Sequence, residues 1–288
     1  MPYFILFLAC VFTAGKVLLQ SKFAKTGAGG LENAMLFNSI VFLAAALTSS
    51  ASLFSGEINT EIIPAAVIFG ICNMSFQVFY VLALACGPTS LTALLSCIGM
   101  VIPTFVSVFL YGEMPSITGW MGFALVIVML LLNKKSGNGG QSASARWAVL
   151  ALIMHLSNAG GIMTQKVCTK TFEDFNSAQF VAIAYFLASV LAFVLFVFLR
   201  ARNKEGRAPF SGSTVLYALG VGLLLCGFQV FYTDSIKALS SAVVMPVQCG
   251  LSSVMITLGS VLFFKERLAK KQIAAVLVGI IAVVMISL

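Results

Sequence analysis

The sequence predicts an all-α polytopic membrane protein with ten transmembrane helices, arranged as two inverted five-helix repeats. Hydrophobic residues make up 60% of the 288 residues and charged residues only 9%, whereas a soluble domain carries roughly 25% charged residues. The apolar residues fall in ten runs, each long enough to cross a bilayer as a helix. Short motifs from the first half then recur in the second half, which predicts the duplication.

The ten apolar runs are separated by short polar loops. Their continuous apolar character favours helices over the strands of a membrane barrel, in which polar and apolar residues alternate. The predicted spans are residues 3–20, 33–54, 62–85, 89–111, 115–132, 147–165, 175–199, 213–233, 240–264 and 272–288. A basic, Gly/Ser-rich linker at 134–146 separates a first repeat, 1–133, from a second repeat, 147–288.

Three motifs recur in the same order in both halves of the chain. Ala14-Gly15 returns as Ala159-Gly160 after 145 residues, Phe76-Gln-Val-Phe-Tyr80 returns as Phe228-Gln-Val-Phe-Tyr232 after 152 residues, and Tyr111-Gly-Glu113 is echoed by Phe264-Lys-Glu266. An odd number of spans in each repeat places the two copies in opposite orientations across the membrane.

The distribution of basic residues predicts the orientation of the chain. Loops after odd-numbered spans hold 13 Lys and Arg residues, and loops after even-numbered spans hold three. Since cytoplasmic loops carry the excess of basic residues, both termini are predicted to be extracytoplasmic, in the plasma (inner) membrane of a bacterium. The net charge of +8 is thereby assigned to topology and the lipid bilayer, and no nucleic-acid partner is expected. A monomer and a homodimer both remain open.

Several functional classes lack their characteristic motifs in this sequence. The seven Cys residues lie in or beside apolar runs without a CxxC, and there is one His, so neither a metal nor another cofactor is expected. A phosphate-binding glycine loop, GxSxG and HExxH are all missing from the sequence. We therefore expect a protein that is not an enzyme.

The end of each predicted repeat carries a pattern of small, proline and acidic residues. It consists of Ala83-Leu-Ala-Cys-Gly-Pro-Thr-Ser-Leu-Thr-Ala93, Pro103, Tyr111-Gly-Glu113, Gly119 and Gly122 in the first half, and of Ala238-Leu-Ser-Ser-Ala-Val-Val-Met-Pro246, Phe264-Lys-Glu266 and Gly279 in the second. In this pattern the chain resembles the EamA family of the drug/metabolite transporter superfamily over nearly its whole length.

The resemblance to EamA proteins implies two five-helix repeats around a central substrate cavity, from which the fifth and tenth helices stand aside. Family members carry amino acids, sugars, amines, nucleotides or drugs, so the resemblance does not name the substrate. Many relatives are thought to have cytoplasmic termini, which differs from the orientation that the loop charges predict here.

Polar side chains inside the third and eighth spans form the first candidate site. Asn73, Gln77 and Tyr80 are spaced to lie on one face of the third span, and Gln229 and Tyr232 repeat the Gln/Tyr pair in the eighth. Across a twofold axis these residues would provide two amides and two phenolic hydroxyls for a substrate near the midplane. The alternative is that they hydrogen-bond between helices and serve only packing.

Lys16 is the only full charge well inside a predicted span. It would bind a carboxylate or phosphate on the substrate, or its side chain would extend to the cytoplasmic surface. On the sixth span, Asn158 and Gln165 share the equivalent face, and Gly161 aligns with Lys16. His155 lies near mid-membrane, where it would either couple transport to protons or pack as a neutral side chain.

These residues together predict a secondary transporter that moves a small polar organic metabolite by alternating access. An amino acid, an amine, a sugar or a nucleoside-like compound would fit, with a proton or another ion as the coupling partner. The alternatives are a broad-specificity drug or amine exporter and a non-transporting membrane scaffold subunit. At the end of the eighth span, Asp234 and Lys237 are predicted to pair at the membrane interface.

Overall fold

The computed structural model describes residues 1–27, 30–53, 59–86, 106, 108–112, 114–132, 145–172, 175–202, 212–264 and 270–287. The described residues form nine long α-helices and two short 3₁₀ helices, and they contain no strand. The α-helices are α1 Pro2–Gly27, α2 Gly30–Ser49, α3 Ile63–Cys86, α4 Ile117–Leu132, α5 Ala145–Thr171, α6 Ser177–Arg202, α7 Gly212–Ala238, α8 Ser241–Phe264 and α9 Lys270–Ser287, and the 3₁₀ helices are Ser50–Leu53 and Thr60–Ile62.

The helices confirm an all-α, multi-pass integral membrane protein. Seven of them are long and apolar enough to cross a membrane, and α4 and α9 contain shorter apolar segments, Ile117–Met129 and Val276–Ile286. Helices suit this composition because each satisfies its own backbone hydrogen bonds within the hydrocarbon. Most of the predicted span 89–111 lies outside the described residues, which include only residues 106 and 108–111 of it. The predicted linker 134–146 also lies outside them, except for residues 145 and 146, which begin α5.

Three helices extend at least five residues beyond the apolar runs from which they were predicted. The predicted first span ends at residue 20, but α1 continues to Gly27. The predicted sixth span ends at residue 165, but α5 continues to Thr171, and Lys166 is fully buried although the sequence analysis had placed it in a loop. Likewise α7 reaches Ala238 rather than residue 233. Polar residues end an apolar run without ending the helix, and none of the three positions has a Pro or Gly that would break it.

The main helix contacts join the two halves of the chain. Four pairs pack along each other, namely α1 with α7, α2 with α6, α3 with α5, and α4 with α9. Within the α1–α7 pair, Phe12 contacts Phe231 and Leu19 contacts Gly220. The residue number increases along α1 and decreases along α7 from one contact to the next, so these two helices are antiparallel.

Glycines allow two further helix crossings, of α3 with α6 and of α7 with α2, to be unusually close. A Cβ atom on Gly70 of α3 would lie 2.5 Å from the carbonyl oxygen of Ala184 on α6, and one on Gly222 of α7 would lie 2.5 Å from the carbonyl oxygen of Val41 on α2. Small residues let membrane helices pack backbone against backbone. The two crossings therefore fix α3 and α7 against the α2–α6 pair.

Candidate functional site

Lys16 lies in the middle of α1 with its ammonium group over an aromatic ring. The Nζ atom is 5.4 Å from the centroid of the Phe228 ring on α7, a cation–π contact. The Phe228 ring in turn stacks on Tyr232, with centroids 5.3 Å apart and an interplanar angle of 26°. The predicted site residues Lys16 and Tyr232 are thus linked through the ring of Phe228.

The polar face predicted on α3 contains one anchored amide and one unanchored amide. The Nδ2 atom of Asn73 donates to the carbonyl oxygen of Phe69, one turn earlier, over 3.1 Å. Gln77 is largely buried and has no hydrogen-bond partner among the residues that the structure describes. The Tyr80 ring stacks on Phe76 at 5.8 Å and 20°, which repeats the arrangement of Phe228 and Tyr232 on α7.

Gln229, the counterpart of Gln77, is held in place by another side chain. The hydroxyl of Tyr185 on α6 donates to Gln229 Oε1 over 3.0 Å. Gln229 and Tyr232 are both 4% exposed, so they are nearly closed off by their neighbours. Tyr185 was missed by the sequence analysis, and its only sequence signal is a hydroxyl-bearing ring within an otherwise apolar span.

The middle of α5 places small and polar residues against α3. A Cβ atom on Gly161 would lie 3.5 Å from Asn73 Nδ2, and one on Gly160 would lie 3.2 Å from Cys72 Sγ. Asn158, one turn before Gly161, is partly exposed and has no hydrogen-bond partner in the described part of the chain. The structure therefore brings Asn73 and the Asn158 face of α5 to the same helix contact. His155 precedes Asn158 by three residues and is partly buried.

A buried polar cluster joins the C-terminal portions of α5 and α7. Gln165 Nε2 donates to Thr233 Oγ1, and Thr233 Oγ1 donates to the carbonyl oxygen of Gln229 over 2.6 Å. Next to it, Lys166 Nζ lies 5.8 Å from the centroid of the Tyr111 ring. Gln165 is 1% exposed and Lys166 is 0% exposed.

The equivalent position in the first half is more open. Gln20, which the recurring motifs align with Gln165, is partly exposed and has no hydrogen-bond partner among the described residues. The packing of α5 with α7 also has no comparable counterpart between α1 and α3 within the described parts of those helices. Within the described residues, Gln165 is therefore held by a hydrogen bond that Gln20 lacks.

Polar contacts at the helix ends join segments that the loop charges assign to the same side of the membrane. Glu32 at the start of α2 forms an ion pair with Arg200 at the end of α6. At the opposite end, Ser177 donates to Asp234, and Lys237 Nζ donates to the carbonyl oxygen of Phe175 over 3.3 Å. The predicted Asp234–Lys237 pair is therefore wrong, because each side chain reaches the start of α6 instead.

Comparisons with known proteins agree with this architecture. The model of the EamA-like transporter family matches residues 145–288, which is half of the chain. No curated protein matches significantly. One solved crystal structure, described only as that of a protein, has a TM-score of 0.79 over 99% of this chain and 95% of that chain at 16% sequence identity. At that identity the likeness shows the fold alone.

Proposed function

Because the chain belongs to the EamA-like transporter family, and is thus a membrane transporter, we propose that it moves a small polar organic metabolite by alternating access. The proposal rests on a single observation, which is that contacts between the two halves occur in reciprocal pairs. In such a pair, replacing each residue of one contact by its equivalent in the other half gives the second contact. A transporter built from two inverted repeats can open to either side by exchanging the conformations of its halves.

The first reciprocal contacts involve the motifs that recur in the sequence. A Cβ atom on Gly15 would lie 3.3 Å from Leu224, and one on Gly160 would lie 3.2 Å from Cys72. Gly15 and Gly160 are 145 residues apart, and Cys72 and Leu224 are 152 residues apart. These offsets equal those of the recurring motifs, so exchanging the two halves turns one contact into the other.

The α4–α9 pair has the same property. A Cβ atom on Gly122 would meet Ile286, and one on Gly279 would meet Met129. Each residue of one contact lies 157 residues from its equivalent in the other. The residue number increases along α4 and decreases along α9 from one contact to the next, so these equivalent helices are antiparallel. Antiparallel packing of equivalent helices supports repeats that are inverted with respect to the membrane.

The proposed substrate site lies between α1, α3, α5 and α7. Five residues are assigned to contact the substrate, namely Lys16, Asn73, Gln77, Tyr80 and Asn158. Tyr80 and Asn158 are partly exposed, and the Gln77 amide has no hydrogen-bond partner among the described residues. Gln229 and Tyr232 are assigned to the wall of the site, because both are almost fully buried. His155 is the proposed coupling residue. If transport by a His155→Gln variant kept the wild-type pH dependence, that assignment would be wrong.

The difference between Gln20 and Gln165 supports alternating access. The Gln165–Thr233 hydrogen bond joins α5 to α7 at one end of the site, whereas Gln20 has no such bond among the described residues. The loop charges put the end joined by this bond on the extracytoplasmic side, with both termini, so we assign the structure to a state closed toward the outside. Fusing a reporter after Leu288 tests that orientation, and cytoplasmic activity of the reporter would reverse it.

Purified protein in liposomes provides the test of function. Uptake of labelled amino acids, amines, sugars and nucleosides would be measured with and without a pH gradient. We expect saturable uptake of one chemical class, and its loss in a Gln77→Ala, Asn158→Ala double variant. Uptake of cargo with diverse shapes would favour a broad-specificity exporter. The absence of uptake for every compound would favour a scaffold subunit and contradict the proposal.

A further inference from the structure

The ammonium group of Lys16 lies between two membrane-spanning helices. Lys16 lies 13 residues after the start of its predicted span, 3–20, and four residues before its end, or roughly 20 Å and 6 Å at 1.5 Å per residue. Phe228 lies 15 residues after the start of the predicted span 213–233 and five residues before its end. The Lys16 Nζ atom contacts the Phe228 ring on this neighbouring helix. A lysine whose charge reached the headgroups would extend toward a membrane surface, whereas this side chain crosses to α7.

The residues that the structure describes supply no anion for this ammonium group. The carboxylates that the structure describes are Glu32, Glu61 and Asp234, and all three lie at or near helix ends. The sequence has no Asp or Glu in the middle of any predicted span. A ring face offsets only part of the free energy lost when an ammonium group leaves water. Lys16 is therefore an electrostatic site that an incoming anion would complete.

A second unsatisfied polar group lies beside Lys16. The Oγ1 atom of Thr13 is buried and has no hydrogen-bond partner in the described structure. Thr13 precedes Lys16 by three residues, so both side chains lie on the same face of α1. A carboxylate accepts hydrogen bonds only, and it would satisfy the hydroxyl and the ammonium group together.

The second half of the chain offers a different environment at the equivalent position. Gly161 aligns with Lys16, and it lies beside the Asn73 amide. Lys16 thus has a cation and a hydroxyl at its position, whereas the equivalent position in the second half has only space beside the uncharged amide of Asn73. Such a site fits a molecule with one anionic end and one neutral polar end.

We propose that the transported solute is a small organic monocarboxylate, bound through its carboxylate by Lys16 Nζ and Thr13 Oγ1. This inference rests on the proposed transport function and specifies its substrate class. A phosphate monoester carries about −1.5 to −2 charges at neutral pH, so a single lysine would leave part of its charge unpaired in the membrane. A carboxylate carries one charge, which one lysine neutralises.

Paired compounds test the role of the carboxylate. Labelled amino, hydroxy and keto acids would each be compared with their own carboxamide. Thermal stabilisation of the detergent-solubilised protein would measure binding, and liposome uptake would measure transport. We expect at least one acid, but not its amide, to stabilise and cross with the wild-type protein. Lys16→Met should weaken binding of the acid at least about tenfold, the difference that 1.4 kcal/mol makes.

Two further variants make the test independent of the folding of Lys16→Met. Thr13→Val removes only the hydroxyl, and we expect it to weaken acid binding several-fold with an unchanged melting temperature in the absence of ligand. Lys237→Met removes a lysine at the end of α7 that bonds the Phe175 carbonyl, and it should bind the acid like the wild-type protein.

The outcomes separate this inference from the proposed function. Transport restricted to amines or uncharged solutes would overturn the carboxylate assignment and leave the transporter intact. Equal acid binding by the wild-type, Lys16→Met and Thr13→Val proteins would also overturn it. Acid binding that depends on Lys16 without any uptake would uphold the site and contradict transport. The absence of both binding and uptake would overturn both proposals.

Discussion

Ser39 on α2 and Ser189 on α6 exchange hydrogen bonds across the interface between the two halves. Ser39 Oγ donates to the carbonyl oxygen of Ser189 over 3.2 Å, and Ser189 Oγ donates to the carbonyl oxygen of Ser39 over 2.9 Å. Both serines are buried. A contact in which two residues make the same bond to each other is characteristic of a twofold interface.

Equivalent serines should therefore contribute equally to stability. We expect Ser39→Ala and Ser189→Ala each to lower the free energy of unfolding by about 0.5–1.5 kcal/mol, as measured by denaturant unfolding in detergent. Ser50→Ala provides the control, because its exposed hydroxyl bonds only the Leu47 carbonyl within the same segment. Effects that differed by more than about 1 kcal/mol between the two serines would contradict the twofold relationship at this crossing.

The close helix crossings should not tolerate a methyl group. Gly70→Ala and Gly222→Ala would each bring Cβ to 2.5 Å from a backbone oxygen, and relief of such overlap typically costs about 1–3 kcal/mol. Gly212→Ala is the matched control, since a Cβ atom there would meet nothing within 4 Å. The readout is the thermal melting temperature in detergent. If Gly70→Ala and Gly222→Ala both melted at the wild-type temperature, the helices would be shown to move apart readily at these two crossings.

The two glutamines should separate stability from transport. Gln229→Leu leaves the buried Tyr185 hydroxyl without its acceptor, and we expect a loss of about 1–3 kcal/mol in unfolding free energy. Gln77→Leu removes an amide without a described partner, so unfolding should change little while uptake falls. Both variants would be measured by unfolding and by liposome uptake. A Gln77→Leu variant with normal uptake would remove Gln77 from the substrate site.

The Gln165–Thr233 hydrogen bond should control access from the extracytoplasmic side. Interhelical hydrogen bonds of this kind contribute about 0.6 kcal/mol on average and 1.7 at most, so Thr233→Val should raise the population of the outward-open state about three- to twentyfold. The readout is the rate at which an impermeant thiol reagent labels a single cysteine at Asn158→Cys in a cysteine-free background.

Ser235→Ala is the control for that labelling experiment. Its hydroxyl bonds the Phe231 carbonyl within α7 and does not join two helices. We expect its labelling rate to equal that of the parent protein. Equal rates for Thr233→Val and Ser235→Ala would show that the Gln165–Thr233 bond has no part in closing the site.

The sequence predicts the parts of this structure that depend on local patterns. Apolar runs located the helices because each run must satisfy its backbone bonds alone. The Tyr111-Gly-Glu113 motif also has a local cause. Gly112 has a φ of 63° and its N–H donates to the Val108 carbonyl over 3.1 Å, which is a glycine cap at the end of a helix.

Side-chain partners between distant helices could not be predicted from the sequence. The Tyr185 hydroxyl bonds Gln229, and Lys16 lies over Phe228, yet both partners depend on the rotation of packed helices. The recurring motif placed Gln77 and Gln229 in equivalent positions, but only packing distinguishes the anchored amide from the unanchored one. Lys166 was misplaced for a related reason, since hydropathy marks the lipid boundary and not the end of a helix.

The pairing of helices across the midpoint of the chain has a consequence for biosynthesis. The helices described in the first half pack mainly on helices that are translated later, as α1 does on α7 and α2 does on α6. These early helices must therefore wait in the bilayer as separate segments until their partners have been inserted. Assembly is thus delayed until late in translation, and a chain truncated at its midpoint would lack the surfaces on which its helices fold.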